Sequence, residues 1–254
     1  MPKAALQKPT FQVVFSASKA FCRWIKQDFP RLRPFENTKL GVQSITSNKQ
    51  QVSWQLHVIA KPSSPHLKTV IAVEAHSRFT ILMPYAYPPS IKEFEAEFSR
   101  RWVAGLTELL ILNGFLKEHD VNRVYGLFLY AFNNTSWHKN VDLSVNGHVA
   151  DAEQWVRSFL IEKGETSLNK HDAQSLAAHI NCQYKKVRSA DGHKDRFVPT
   201  ARFIEDSLSR IEVVFEDNDP HEPSAVSDSE HEASNVISMA DYLKANPSSS
   251  PASR

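Results

Sequence analysis

Residues 90–114, "SIKEFEAEFSRRWVAGLTELLILNG", constrain this chain more than any other stretch. Ser90 stands three residues ahead of Glu93, the spacing of a capping box, and Pro88 and Pro89 lie just before it. Ile91, Phe94, Phe98, Trp102, Leu106, Leu109 and Leu110 then recur at helical spacing, and Asn113-Gly114 supplies the stop. A helix with one such apolar stripe has to bury it against another layer, so the rest of the chain must provide that layer.

The material for it lies upstream. "QVSWQLHVIA" (51–60), "LKTVIAVEA" (67–75) and "RFTILM" (78–83) read as three strands joined by hairpin-length connections, which is an antiparallel meander. In the first, Val52, Trp54, Leu56 and Val58 alternate with polar residues, which predicts one solvated face. "TFQVVF" (10–15) is a further short strand. The helix after it starts at Ser16 or Ser18 and carries Phe21, Trp24, Ile25 and Phe29 on one side. Downstream, "VNRVYGLFLYAF" (121–132) reads as a buried strand, followed by a polar knot from Asn133 to Asn140 and a helix near 148–163. The order β-α-β-β-β-α-β-α predicts an α+β domain over residues 1–163, a mostly antiparallel sheet with helices packed on it. Residues 164–211 read as a helical extension: a helix within 167–186, a polar loop "VRSADGHKDR", and a short helix with a strand-like end over 198–215.

Charge divides the chain. Residues 212–254 hold nine Asp and Glu against Lys244 and Arg254, which leaves 28 Lys and Arg against 19 Asp and Glu in residues 1–211. A basic body thus precedes an acidic tail. Residues 216–234 are dominated by Asp, Glu, Ser and Pro and predict disorder. In the C-terminal piece "SNVISMADYLKAN", Met239, Tyr242 and Leu243 fall at i, i+3 and i+4 behind Ser238, a short helix that would need a partner's groove. Cys22 and Cys182 stand far apart without ligand spacing, as free thiols of a reducing compartment do. With no apolar leader and no long apolar run, the expectation is a cytoplasmic protein without a membrane partner.

Catalytic templates fail one after another. GxSxG, GxxxxGK[ST], GxGxxG and HExxH do not occur, and seven glycines are few for phosphate loops. Glu74, His76 and Arg78 could do acid–base work but equally make a polar hairpin turn. His171 and His179, eight apart with Asp172 adjacent, lack a third close metal ligand, and His221, Glu222, His231 and Glu232 lie in the acidic tail. No metal and no cofactor is expected, and catalytic residues are assigned to none.

"ENTKLGVQSI", "EAHSRFTILMP", the long helix and "YAFNNTSWHKNVDLSVNGHVADAEQWV" together resemble a bacterial domain of unknown function. Its relatives include passenger proteins of plasmids and insertion elements. The resemblance spans residues 11–163 and implies a domain of that extent. In that family an arginine follows the asparagine of the knot; here the position is Thr135. No activity comes with the family.

Three function classes remain. The leading one is a non-enzymatic interaction protein, an accessory factor of a mobile element or host-defence locus, docking an unidentified protein through Asn134, His138 and Asp142 of the knot or through Met239, Tyr242 and Leu243. The second is a nucleic-acid binder: "RWIKQDFPRLRPFENTK" and "KKVRSADGHKDRFVPTAR" interleave cations with aromatics, which puts Arg31, Arg33, Lys39, Lys185, Lys186, Arg188 and Arg196 forward as phosphate contacts. The third is a small hydrolase or transferase built on Glu74 and His76 or on the knot.

Overall fold

The structure is a computed structural model and describes residues 11–32, 42–60, 65–188 and 194–216. Arg33, Lys39, Met239, Tyr242, Leu243 and the tail from 217 onward therefore lie outside the described residues.

The long helix forms as its signals dictate. It runs Ile91–Leu112, and both halves of the capping box close: Glu93 N donates to Ser90 Oγ at 3.3 Å and Ser90 N to Glu93 Oε2 at 2.8 Å. In chain order the strands are β1 (Gln12–Ala17), β2 (Gln51–Ile59), β3 (Lys68–Glu74), β4 (Thr80–Tyr85), β5 (Thr135–Lys139), β6 (Lys185–Arg188) and β7 (Lys194–Phe197). The α-helices are α1 (Lys19–Ile25), α2 (the long one), α3 (Val121–Ala131), α4 (Leu143–Glu162), α5 (Lys170–Asn181) and α6 (Pro199–Glu216).

The class is α+β, and the five-stranded sheet is mixed, in the order β4-β3-β2-β1-β5. β2, β3 and β4 form the antiparallel meander, while β1 runs parallel to both β2 and β5. Helices cover both faces. On one side α1, α2, α3 and α6 pack over Phe15, Trp54, Leu56 and Val70; on the other, α4 and α5 pack over Ile71, Val73 and Leu82. The first core is rich in aromatics: Phe98 meets Phe15 at 5.1 Å and Trp54 at 5.0 Å, both edge-on, an arrangement the ring quadrupoles favour.

Three expectations change. Residues 121–132 are helix α3 rather than a strand. Val124, Leu127, Phe128 and Ala131 point inward at i, i+3, i+4 and i+7, and Phe128 packs on Phe11 and Trp102. The alternation of Val124, Gly126 and Phe128 mimics a strand, and a short apolar run cannot separate the two by periodicity. The strand slot beside β1 goes instead to the knot itself, Thr135–Lys139. β2 has no solvated face, because its polar residues Ser53 and Gln55 are 0% and 1% exposed beneath the segment at 42–47 and the start of α4. Residues 164–211 are not a purely helical extension either: they include the β6–β7 hairpin, and α6 sends Phe203, Ile204 and Ile211 into the α2-side core. Residues 1–217 form one compact unit. Among the described residues no helix is long and apolar enough to cross a membrane.

Candidate nucleic-acid interface

β1 and β5 are parallel neighbours, and the helices that follow them, α1 and α4, leave for opposite faces of the sheet. The crevice at the carboxyl ends of two such strands is where open sheets hold ligands. Here the chain fills it with its own side chains. Asn140 Oδ1 accepts from Gln43 N at 2.7 Å, and Asn140 Nδ2 donates to Gln43 O at 2.8 Å and to Ser16 Oγ at 3.2 Å. Gln55 Nε2 donates to Ser16 O at 2.8 Å, while its Oε1 accepts from Asp142 N at 2.9 Å. Asp142 caps α4 through Ser144 N and Val145 N and also accepts from Ile45 N at 2.7 Å. Asp142 is 3% exposed. This corrects its assignment to a partner surface: its oxygens are consumed holding the 42–47 segment against the sheet. His138, on β5, is half-buried, and burial holds its imidazole below the usual range. Asn134 is exposed at the turn before β5, and its backbone oxygen accepts from Val13 N.

The second polar cluster is also turned inward, with Glu74 Oε1 and Arg78 Nε buried and without a hydrogen-bond partner. Glu74, 1% exposed at the end of β3, accepts from His76 N at 3.0 Å, Ser77 N at 2.5 Å and Ser77 Oγ at 2.5 Å. Arg78, in the left-handed region at φ 60°, is buried and donates to Ala75 O and to Ser144 Oγ on α4. Arg210 of α6 is buried near Glu74 and donates to Asn48 O. His76 Nδ1 meets Asp206 Oδ2 at 2.8 Å, which ties the β3–β4 turn to α6. Neither cluster lines the cavity of about 160 Å³ bounded by Ile59, Leu67, Val156, Leu160 and Arg157, nor the one of about 520 Å³ between α2 and α3 bounded by Thr107, Glu108, Ile111 and Tyr125. Among the described residues no group of three or more His, Cys, Asp and Glu could hold a metal ion, and His179 packs against Trp155 at 4.9 Å. Cys22 is buried and Cys182 exposed, both free thiols.

Two histidines respond to acid with opposite signs. Burial, with Arg78 and Lys185 nearby and only Asp151 opposing them, pulls His148 down to about 4 from 6.5. Because the unfolded chain takes up that proton first, stability falls as pH drops from 6.5 toward 4. His76 has the opposite sign. Its bond to Asp206 raises its pKa, so its contribution is complete below 6.5 and is lost as pH rises through the raised value. Urea unfolding of wild type and His148→Gln at neutral pH and near pH 4 checks this. The wild type should lose roughly 2 kcal/mol more than the variant on acidification, given about 1.4 kcal/mol per pKa unit and a partly exposed ring.

The β6–β7 ribbon is of a different kind. Its register pairs Lys185 with Phe197, Lys186 with Arg196, Val187 with Asp195 and Arg188 with Lys194. Side chains alternate along a strand, so the first and third pairs share one face and the second and fourth the other. The first face is turned inward. Lys185 is 7% exposed with its ammonium 3.6 Å from Asp151, Phe197 is buried under the Arg202 guanidinium, and Asp195 is paired to Arg202 at 2.5 Å. Lys185 is thereby corrected from a phosphate contact to an anchor. The outer face carries exposed Lys186, Lys194 and Arg196, and the register sets Arg188 opposite Lys194. Tyr184, at the ribbon's base, is 64% exposed with the Arg196 guanidinium 4.2 Å from its ring. Like charges directly opposite in a hairpin cost about 0.2–1 kcal/mol each. Lys186 and Arg196 make such a pair here, and the ribbon's own Asp195 is engaged on the other face.

The structure thus brings Lys186 and Arg196 together, sets Arg188 in register on the same ribbon, and adds Lys194 and Tyr184, which the sequence reading passed over. Their signal is visible only with the register in hand. Arg31 is not part of the group; it bridges to Lys139 at the β5 edge of the sheet. Comparison of the chain with protein-family models, with curated proteins and with solved structures gives no match in any of the three.

Proposed function

We propose that this protein is a non-enzymatic interaction protein whose partner is nucleic acid, held through the outer face of the β6–β7 ribbon. The observation that carries the reading is the pair of exposed cations set directly opposite each other, Lys186 and Arg196, with exposed Lys194 on the same face of the short hairpin. A fold gains nothing from such repulsion, whereas a row of phosphates relieves it and releases counterions. The inward anchoring of Lys185 and Phe197, with the pairing of half-exposed Asp195 to Arg202, holds the ribbon on the body while Lys186, Lys194 and Arg196 face out. Asn140, Asp142 and Glu74 Oε2 are engaged in internal hydrogen bonds, which favours binding over a reaction there, while Glu74 Oε1, Arg78 Nε and His138 Nδ1 stay buried without a hydrogen-bond partner. Two free thiols and the lack of a membrane-crossing helix among the described residues support the cytoplasmic placement expected from the sequence.

The test sets stability against affinity. Lys186→Gln with Lys194→Gln relieves the repulsion between Lys186 and Arg196 and lowers the charge of the face, so the variant should be as stable as the wild type or up to about 1 kcal/mol more stable. Its affinity for polyanions should fall about tenfold at low salt. With three phosphate contacts, wild-type affinity for a single strand should drop roughly 20-fold between 50 and 200 mM salt, from a slope of about −0.7 per contact. Salt-independent binding, or a variant that binds as the wild type does, would remove the ribbon from the interface.

A further inference from the structure

Resting on the nucleic-acid reading, we infer that the ribbon selects single-stranded polynucleotide, with Tyr184 as the platform on which one base stacks. Tyr184, Lys186 and position 188 fall on the same face of one strand, and Arg196 and Lys194 stand across from them on the other. The tyrosine therefore lies at one end of a cationic row spanning about 13 Å, at roughly 3.3 Å per residue. Its ring is backed by the Arg196 guanidinium at 4.2 Å and leaves most of its surface to solvent. The contact orders the aromatic before any ligand arrives, so less freedom is lost when a base settles on it. A guanidinium on an aromatic ring beside a phosphate track is the combination that single strands use, because every base has a π-face to offer and stacking needs no sequence.

A duplex could engage only half of this surface. Its bases are already stacked on one another, so its phosphates would meet Lys186, Lys194 and Arg196 while Tyr184 had no role. The tyrosine also has little structural reason to be where it is. It is far more exposed than the ribbon's packing residues Lys185 and Phe197, which are 7% and 8% exposed, and it belongs to neither core. Asp195 lies on the opposite face, half-exposed and paired to Arg202, so the ribbon's own carboxylate does not stand among the outer cations.

The experiment is fluorescence anisotropy of the full chain with labelled oligothymidylate, oligouridylate of the same length, a duplex of that length and inorganic polyphosphate, all at one low salt concentration. Single strands should bind about tenfold or more tightly than duplex and polyphosphate. Tyr184→Ala should lose about tenfold on the single strands and nothing on duplex or polyphosphate, while Tyr184→Phe, which keeps the ring, should bind as the wild type does. Thymidylate and uridylate separate DNA from RNA, since only the second offers a 2′-hydroxyl. Equal binding of duplex and single strand, or a silent Tyr184→Ala, overturns the single-strand inference and leaves the polyanion reading standing if Lys186→Gln with Lys194→Gln still weakens every ligand. Should that double variant also bind unchanged, or no ligand bind at all, both fall. Circular dichroism melting of each variant, expected to match the wild type, ties any loss to the surface rather than to unfolding.

Discussion

Replacing Asp142 with alanine should destabilise the protein by roughly 2–5 kcal/mol, far beyond an ordinary surface substitution. One side chain performs two tasks here. Its Oδ1 accepts from Ser144 N at 2.7 Å and Val145 N at 3.2 Å as the cap of α4, and loss of a cap costs about 0.5–2 kcal/mol. Its Oδ2 accepts from Ile45 N at 2.7 Å, and Ile45 is 8% exposed, so that N–H would be left unpaired at a further cost of about 1–3 kcal/mol. Asp142→Ser should fall in between, because a shorter hydroxyl can still cap the helix but cannot also hold the 42–47 segment. His138→Ala, by contrast, should change stability by under about 1 kcal/mol, since its half-buried ring is not needed for that clamp. Urea unfolding followed by circular dichroism gives all three values. A loss under about 1 kcal/mol for Asp142→Ala, together with loss of binding, would return the knot to the list of functional surfaces.

Glu74→Gln should cost roughly 3–5 kcal/mol, the range for breaking a buried charge constellation by removing one member. The amide keeps the shape but can no longer offset Arg78 and Arg210, which are 5% and 3% exposed and both feel the Glu74 charge. It also accepts less well from the turn N–H groups of His76 and Ser77. Combining Glu74→Gln with Arg210→Met should cost clearly less than the two single losses added together, because the second change removes a cation that the first left uncompensated. The same pair of variants separates structure from chemistry. If Glu74 were a catalytic base, Glu74→Gln would abolish an activity while the unfolding midpoint hardly moved. Expected instead is a large shift in midpoint, with nucleic-acid binding by the folded fraction unchanged.

The two clusters show why the chemistry of this chain could be listed from its sequence but not assigned. Asn140, Asp142, Glu74 and Arg78 are residue types from which active sites are built, and turns and helix caps are built from the same types. The difference lies in whether their hydrogen-bonding capacity is spent. That depends on Gln43, Gln55 and Ser16, up to 124 residues away in the chain, arriving at the same end of the sheet. The ribbon reverses the case. "KKVR" and "KDRF" look like ordinary solvated charge, and only the register, which sets Lys186 against Arg196, turns them into a repulsive pair. A shift of one residue would alter which side chains stand opposite one another.

Local signals were sufficient wherever one segment could satisfy itself. The capping box of Ser90 and Glu93, the Ser18 cap of α1 and the meander of β2, β3 and β4 were all legible in the sequence, because their hydrogen bonds and periodicities close over a few residues or between neighbouring strands. Tertiary structure decided what depended on competition for a place. Residues 121–132 had an apolar pattern open to strand or helix, and the outcome rests on Phe128 meeting Phe11 and Trp102. "TSWHK" carries a weak strand pattern, yet it takes the position beside β1 because Trp137 can stack on Phe29 at 4.8 Å and pack on Phe15 at 4.4 Å, while its indole N–H reaches Glu95 of α2 at 2.8 Å. Burial of an aromatic with its polar atom satisfied outweighs a modest local propensity, and that burial exists only once β1 and α2 are in place.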